Sequence, residues 1–278
     1  MATENANEAS ETSGKKATLR IFRGDREGGE LKTYDVETYP GMVVLDAVHE
    51  VQAKQAPELA VRWNCKAGRC GSCSAEVNGK PRLMCMTRMS HFPEGEPITV
   101  VPMKSFPIIK DLVTDVSWNY KVAKKIPELK PRPRDADGHW RMQQRDLDRI
   151  QEFRKCIECF LCQDVCHVIR DHDKKESFAG PRFLIQAAGL EMHPLDTLDR
   201  RPLAKEAYGV GLCNITKCCS EVCPEGIRIT DNAIIPLKER VADTNYDPVR
   251  WLLRKVKPEA TRPVATLPAA ALEERKAK

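Results

Sequence analysis

Twelve cysteines in a 278-residue chain carry the chemistry, and their spacing says which. The first group is Cys65-x4-Cys70-x2-Cys73, with Cys85 beyond the next turn. That spacing suits a [2Fe–2S] rhomb, which takes two thiolates per iron and needs a tight loop along one edge. Ala67, Gly68, Gly71 and Ser72 fit such a loop, because small residues let backbone N–H groups approach the sulfurs. Cys85 supplies the remote ligand. A zinc ribbon is the alternative, but it wants two CxxC knuckles, and only Cys70–Cys73 has that spacing.

The other cysteines form two matching runs. Cys156, Cys159, Cys162 and Cys166 are repeated at 213, 216, 219 and 223 as Cys, Thr, Cys, Cys, and Pro224 follows the last. This is the two-cluster run C-x2-C-x2-C-x3-C-P, in which the fourth cysteine of each run crosses to the other cluster. The rule assigns Cys156, Cys159, Cys162 and Cys223 to a [4Fe–4S] cubane. Cys166, Cys213 and Cys219 are left for a second site that is one ligand short at Thr216. A hydroxyl is a poor ligand for a soft iron–sulfide corner, so this site is expected to hold [3Fe–4S]. Cys218 has two readings, a substitute fourth ligand or a small buried residue pointing away from the cluster, and the second is preferred. The six histidines are not needed as ligands, and only His167 adjoins one.

The elements that must position these residues follow from periodicity. Ala17–Phe22 and Leu31–Val36 alternate as strands around a Gly-rich turn, and Met42–Val51 has helical spacing. Asn78–Gly79 makes a hairpin turn between Ala75–Val77 and Leu83–Met86, which puts Cys85 on a strand, and Ile98–Val101 is a further strand. Leu147, Ile150 and Phe153 share a helix face ahead of the second cysteine group. Asp231 is a candidate N-cap for a helix through Val241. The fold expected is α+β: a plant-type ferredoxin (β-grasp) domain, then a mainly α-helical bacterial-ferredoxin-like domain. The boundaries are a disordered tail at 1–16, the [2Fe–2S] domain at 17–104, a linker at 105–145 containing PELKPRPRD, the two-cluster domain at 146–255, and a tail at 256–278.

Composition excludes other classes. With 45 basic and 40 acidic residues the net charge is +5, and no block reads as a nucleic-acid face; the basic stretch Lys121–Arg145 is read as solvated linker. Cysteine is too sparse for a disulfide scaffold, and Met1–Lys16 has no apolar stretch of a secretory signal, so reduced thiols in a cytosolic compartment are expected. No apolar run reaches the ~18–20 residues of a membrane-spanning helix. Nor does any G-x-G-x-x-G follow a strand, so no flavin or nicotinamide site is visible.

Over residues 17–240 the chain resembles the iron–sulfur subunit of succinate dehydrogenase and fumarate reductase (respiratory complex II). The resemblance rests on NCKAGRCGSCSAEVNGKPRLMC, FPIIKDLV, CIECFLCQDVC, FAGPRFL and the Cys213–Pro224 run. It implies a flavoprotein partner that carries FAD and the succinate/fumarate site, and a membrane anchor that binds quinone near the [3Fe–4S] centre. It implies electron transfer from flavin through [2Fe–2S], [4Fe–4S] and [3Fe–4S] to quinone, with no substrate chemistry in this chain. It also implies a peripheral location on the cytoplasmic face of a prokaryotic cell membrane. Fumarate reduction, including a thiol- or heterodisulfide-linked form, would use the same wiring, although Cys218–Cys219–Ser220 lacks the Gly of the usual CCG motif. His167 stands where the family usually has Pro, no Trp lies within Val168–Asp171, and Asn214 stands where His is frequent. These departures point to an anchor or quinone site of an unusual type.

Overall fold

The computed structural model describes residues 15–249, 252–253 and 262–269. The tails expected at 1–16 and 256–278 otherwise lie outside the described residues. Two compact units are present: one runs to Pro102 and includes Ile108–Val113, and the other holds Met103–Pro107 and the described residues from Thr114 onward.

The first unit is a five-stranded sheet with one helix. Its strands are β1 (Lys15–Gly24), β2 (Gly29–Thr38), β3 (Ser74–Val77), β4 (Lys80–Leu83) and β5 (Ile98–Val101), and the helix is α1 (Val44–Lys54). The order is β2-β1-β5-β3-β4. β1 and β5 pair in parallel, Leu19 opposite Ile98 and Ile21 opposite Val100, and the other pairings are antiparallel. Alternation in β1 sends Leu19 and Ile21 inward, where they are fully buried with Val44, Val48 and Val51 of α1. Each such side chain contributes about 1.5–3 kcal/mol when removed from water. Asn78 and Gly79 both have positive φ, 48° and 75°, as a two-residue hairpin between right-twisted strands requires.

Cys85 departs from expectation. It lies in a single 3-10 turn, Met84–Met86, rather than on a strand. Residues 105–145 also hold more than a linker: β6 (Ile108–Lys110), β7 (Val113–Thr114) and α2 (Ser117–Ala123), with Phe106, Leu112, Val116 and Val122 buried. Prolines hide any period there, but enough apolar side chains remain to pack.

The FPIIKDLV motif has a structural explanation in Asp111, which is 2 % exposed and left-handed at φ 49°. Its Oδ1 accepts from Arg23 Nε and from the Gly24 N–H, each at 3.0 Å, and its Oδ2 accepts from the Ala60 N–H at 2.9 Å. Arg23 also donates to Tyr34 and Glu58, so although burial opposes its charge, these hydrogen bonds hold the guanidinium firmly protonated.

The second unit is helical: α3 (Gln144–Gln151), α4 (Leu161–Asp164), α5 (His167–Arg170), α6 (Pro181–Glu191), α7 (Arg201–Glu206), α8 (Cys218–Glu221) and α9 (Ile235–Tyr246). Ile150 and Phe153 are buried as their spacing implies, and Leu147 is half-buried. Asp231 does not cap α9. It lies inside a π turn, Ile229–Ile234, and pairs with Lys217 at 2.7 Å. Pro236 has no N–H to donate back, which favours this widened turn before α9. Arg262, close to the C-terminus, reaches the buried Glu191 at 2.5 Å, and Asp199 bonds the backbone of Pro263 and Ala265.

Asp111→Ala leaves three donors without their acceptor and is expected to destabilise the first unit by about 3 kcal/mol. Amide exchange at Leu19 and Ile21 should then speed up about a hundredfold, and Asp111→Asn should have a smaller effect. Unchanged exchange in the Ala variant would show that Asp111 does not hold this unit together.

Candidate functional site

In the first unit the loop between α1 and β3 curls its N–H groups onto sulfur. Cys65 Sγ accepts from Ala67 at 3.3 Å and from Arg69 at 3.2 Å, and Cys70 Sγ accepts from Cys65 and Ser72 at 3.5 Å. Left-handed φ at Lys66 (53°), Gly68 (67°) and Gly71 (67°) turns the chain this tightly. A Cβ on Gly68 would meet Met86 Sδ at 3.0 Å, a contact the exposed Met86 side chain can relieve, so it is the left-handed φ that calls for glycine there. Cys73 and Cys85 are buried side by side, and the Cys85 N–H points at the Cys73 sulfur.

In the second unit Cys156, Cys159, Cys162 and Cys223 line one cavity, together with Phe160 and Arg182. The two cysteine runs share a backbone design. Glu158 (φ 56°) and Phe160 (φ 61°) flank Cys159 in the left-handed region, and Ile215 and Lys217 (both φ 64°) flank position 216 in the same way. Thr216 therefore has the backbone surroundings of Cys159 without its thiol. Cys166 lies among Cys218 and Cys219, and Cys219 in turn lies near Cys213 and Cys218. Thr230, fully buried in the π turn, places its hydroxyl 3.4 Å from Cys219 Sγ. Cys218 is half-buried rather than buried, and its sulfur is 3.3 Å from Thr216 Oγ1.

The donor set suits clusters better than single ions. Cys156, Cys159, Cys162 and Cys223 around one cavity give each iron of a cubane its own ligand. Arg182 adds a second sign: its Nε is buried with no partner among the described residues, at a cavity lined mainly by sulfur and apolar groups, with Glu225 as its one carboxylate among the described residues. An anionic sulfide group is the acceptor that this donor lacks.

Burial dominates the acidity of these thiols. It pushes Cys159 up to about 12, against the N–H of Leu161 and its own N–H, with Cys156 and Cys223 adding repulsion. It likewise pushes Cys166 up to about 12, against the N–H groups of Ile169 and Val168, with Cys218 and Cys219 adding repulsion. Cys162, fully buried among Cys159, Cys156, Cys219 and Cys223, is raised well above the ordinary thiol value. Cys70 goes the other way. Burial opposes its ionisation but is outweighed by the Cys65 N–H and by the hydroxyl and N–H of Ser72, which bring it down to about 6. Cys73, more deeply buried, is pushed up to about 12.

Sequence reasoning missed Arg182 because a charged residue in GPRFL resembles any surface position. What fixes its place is Gly180 at φ 85°, where a Cβ would lie 2.0 Å from Gln163 Oε1. Gln163 is fully buried and donates to Asn119 and to the Ala179 carbonyl, which ties the start of α6 to α4 between Cys162 and Asp164.

In iron-free chain Cys70 is expected to be a thiolate at neutral pH. Its alkylation rate, followed by peptide mass spectrometry, should reach half its maximum near pH 6, whereas Cys73 stays unlabelled. A midpoint at about 8.5, the ordinary thiol range, would show that the loop donors do not act on Cys70.

Comparison with known proteins agrees with this geometry. Residues 18–121 match the family described as "2Fe-2S iron-sulfur cluster binding domain", and residues 152–227 match "4Fe-4S dicluster domain". The fumarate reductase iron-sulfur subunit of Mycobacterium tuberculosis is 32 % identical over 204 residues, which is 70 % of this chain and 80 % of that protein. The succinate dehydrogenase iron-sulfur subunit of Bacillus subtilis is 28 % identical over 233 residues, 77 % of this chain and 88 % of that one. A chain of the solved "Mycobacterium smegmatis Sdh1 complex in the apo form" superposes with a TM-score of 0.83 at 63 % identity, covering 85 % of this chain and all of that one. The two cysteine-bearing units, their order and these relatives lead to one conclusion: the chain belongs to the family of iron–sulfur subunits of succinate dehydrogenases and fumarate reductases, which transfer electrons through iron–sulfur clusters.

Proposed function

We propose that the chain works in a succinate:quinone oxidoreductase, between a flavoprotein bearing FAD and the succinate site and a membrane anchor that binds quinone. Cys65, Cys70, Cys73 and Cys85 would hold [2Fe–2S]; Cys156, Cys159, Cys162 and Cys223 would hold [4Fe–4S]; Cys166, Cys213 and Cys219 would hold [3Fe–4S]. When bound, these groups supply three one-electron carriers of different potential. The observation that carries the reading is the crossing of the two runs. Cys223 lines the cavity of the first run, and Cys166 lies with the cysteines of the second.

The protein's part is to hold, shield and bias. N–H groups around Cys65 and Cys70 stabilise charge on those sulfurs, and the apolar walls about Cys159 and Cys162 exclude water. Thr216 leaves the third site with three thiols in the positions of a four-thiol run. Among the described residues no helix is long and apolar enough to cross a membrane. Attachment to the cytoplasmic face of a prokaryotic membrane would therefore come through the anchor. The physiological direction is set by the partners' potentials, with succinate oxidation as the direction proposed.

Purified chain should carry about nine irons with acid-labile sulfide and no stoichiometric zinc. Dithionite should reduce it, yet it should not oxidise succinate until the flavoprotein is added, and quinone reduction should need the anchor as well. Zinc without sulfide, or succinate turnover by the chain alone, would refute the assignment.

Thr216→Cys should capture a fourth iron at the third site and abolish its oxidised [3Fe–4S] paramagnetic signal, slowing quinone reduction. Cys218→Ser should leave that signal intact. Its appearance only in Cys218→Ser would make Cys218 the fourth ligand.

A further inference from the structure

We infer that Arg182 sets the redox potential of the second cluster, holding it above the value that the four thiolates alone would give. The inference rests on the assignment of [4Fe–4S] to Cys156, Cys159, Cys162 and Cys223, and it concerns a residue that binds no iron.

Three observations converge on Arg182. Its side chain is 11 % exposed and lines the same cavity as the four cysteines. Its Nε–H is buried and makes no hydrogen bond there, although Glu225 also lines the cavity, so one guanidinium donor is left for the space between the cysteines. Its other end is held in place: Nη2 donates to Glu158 Oε1 at 2.5 Å, and the guanidinium lies 5.6 Å from the Phe183 ring centroid. The backbone is fixed too, since the Arg182 N–H points at Gln163 Oε1 at 3.4 Å, beside the close contact that Gly180 permits.

Such a placement favours the reduced state. Reduction adds one negative charge inside a poorly solvated cavity, where a nearby cation and a hydrogen bond to sulfur both act more strongly than in water. Both stabilise the reduced form more than the oxidised one, and charge and sulfur hydrogen bonds are among the determinants of cluster potential. Glu158 and Glu225 offset only part of this, because Glu158 is half exposed and Glu225, which lines the cavity, is only half-buried, so both are better screened than the guanidinium. The local field already has this sign at a ligand: burial raises the Cys156 thiol, and the Arg182 charge is the first influence pulling it back.

The test is a redox titration of the assembled complex, followed by electron paramagnetic resonance of each cluster, in wild type, Arg182→Gln and Arg182→Lys. Arg182→Gln is expected to shift the second cluster's midpoint downward and leave the first and third in place. Arg182→Lys, which keeps the charge but loses the Nε donor, should give a smaller shift of the same sign. A variant that assembles the second cluster at full iron content with an unchanged midpoint overturns the inference. So does loss of the second cluster from both variants, which would make Arg182 a structural part of the pocket. Wild type without any second-cluster signal would instead refute the cysteine assignment itself, independently of Arg182.

Discussion

The crossing of cysteines between the two runs is the constraint on which the second unit depends. Cys223 lines the cavity of Cys156, Cys159 and Cys162, and Cys166 lies beside Cys218 and Cys219, so under the proposed assignment neither run would close its site alone. Segments some sixty residues apart in sequence are thereby forced side by side, and the elements between them serve that end. α6 is pinned at Gly180 and Gln163, and the π turn brings Thr230 to Cys219. The two helices that carry cysteines, α4 with Cys162 and α8 with Cys218 and Cys219, are single turns of four residues.

Each wrap costs backbone strain. Glu158, Phe160, Ile215 and Lys217 are left-handed without being glycine, at about 1–3 kcal/mol each when nothing holds them. Such strain persists where the surroundings over-determine it, and it turns N–H groups toward sulfur. That the strain is retained around Thr216 is informative. The frame of a four-thiol run is still present there, although its second thiol is missing.

Much of the fold was legible because its signals are local. Alternation marks β1, Asn78–Gly79 marks the hairpin, and a repeated spacing marks the two runs. What was hidden depends on long-range contacts. Asp111 sits in a Pro-rich stretch with no period, yet it joins Arg23, Gly24 and Ala60. Cys85 follows a strand but is taken from it by a 3-10 turn. Asp231 has the chemistry of an N-cap, but the missing N–H of Pro236 widens the turn around it. Arg182 is invisible in sequence because only its burial distinguishes it from a surface arginine.

The acidities of the thiols divide the molecule functionally. Cys159, Cys162, Cys166 and Cys219 are all raised by burial, Cys219 to about 11, so empty sites in the second unit hold protons rather than charge. A thiolate cannot bind iron until its proton leaves, so loading these sites releases protons and draws its driving force from iron–sulfur bonds. The burial that opposes empty thiolates also keeps water from a loaded cluster and lets one guanidinium act strongly on it. The first unit follows a different design. Its outer thiols lie in an open loop of N–H donors, with Cys70 brought down to about 6, so this loop is set for anionic sulfur before any iron arrives. A loop that solvent can reach holds charge by hydrogen bonds alone, whereas in the buried cavity a few N–H donors are outweighed by burial, and bonding to metal and the guanidinium beside it must supply the rest.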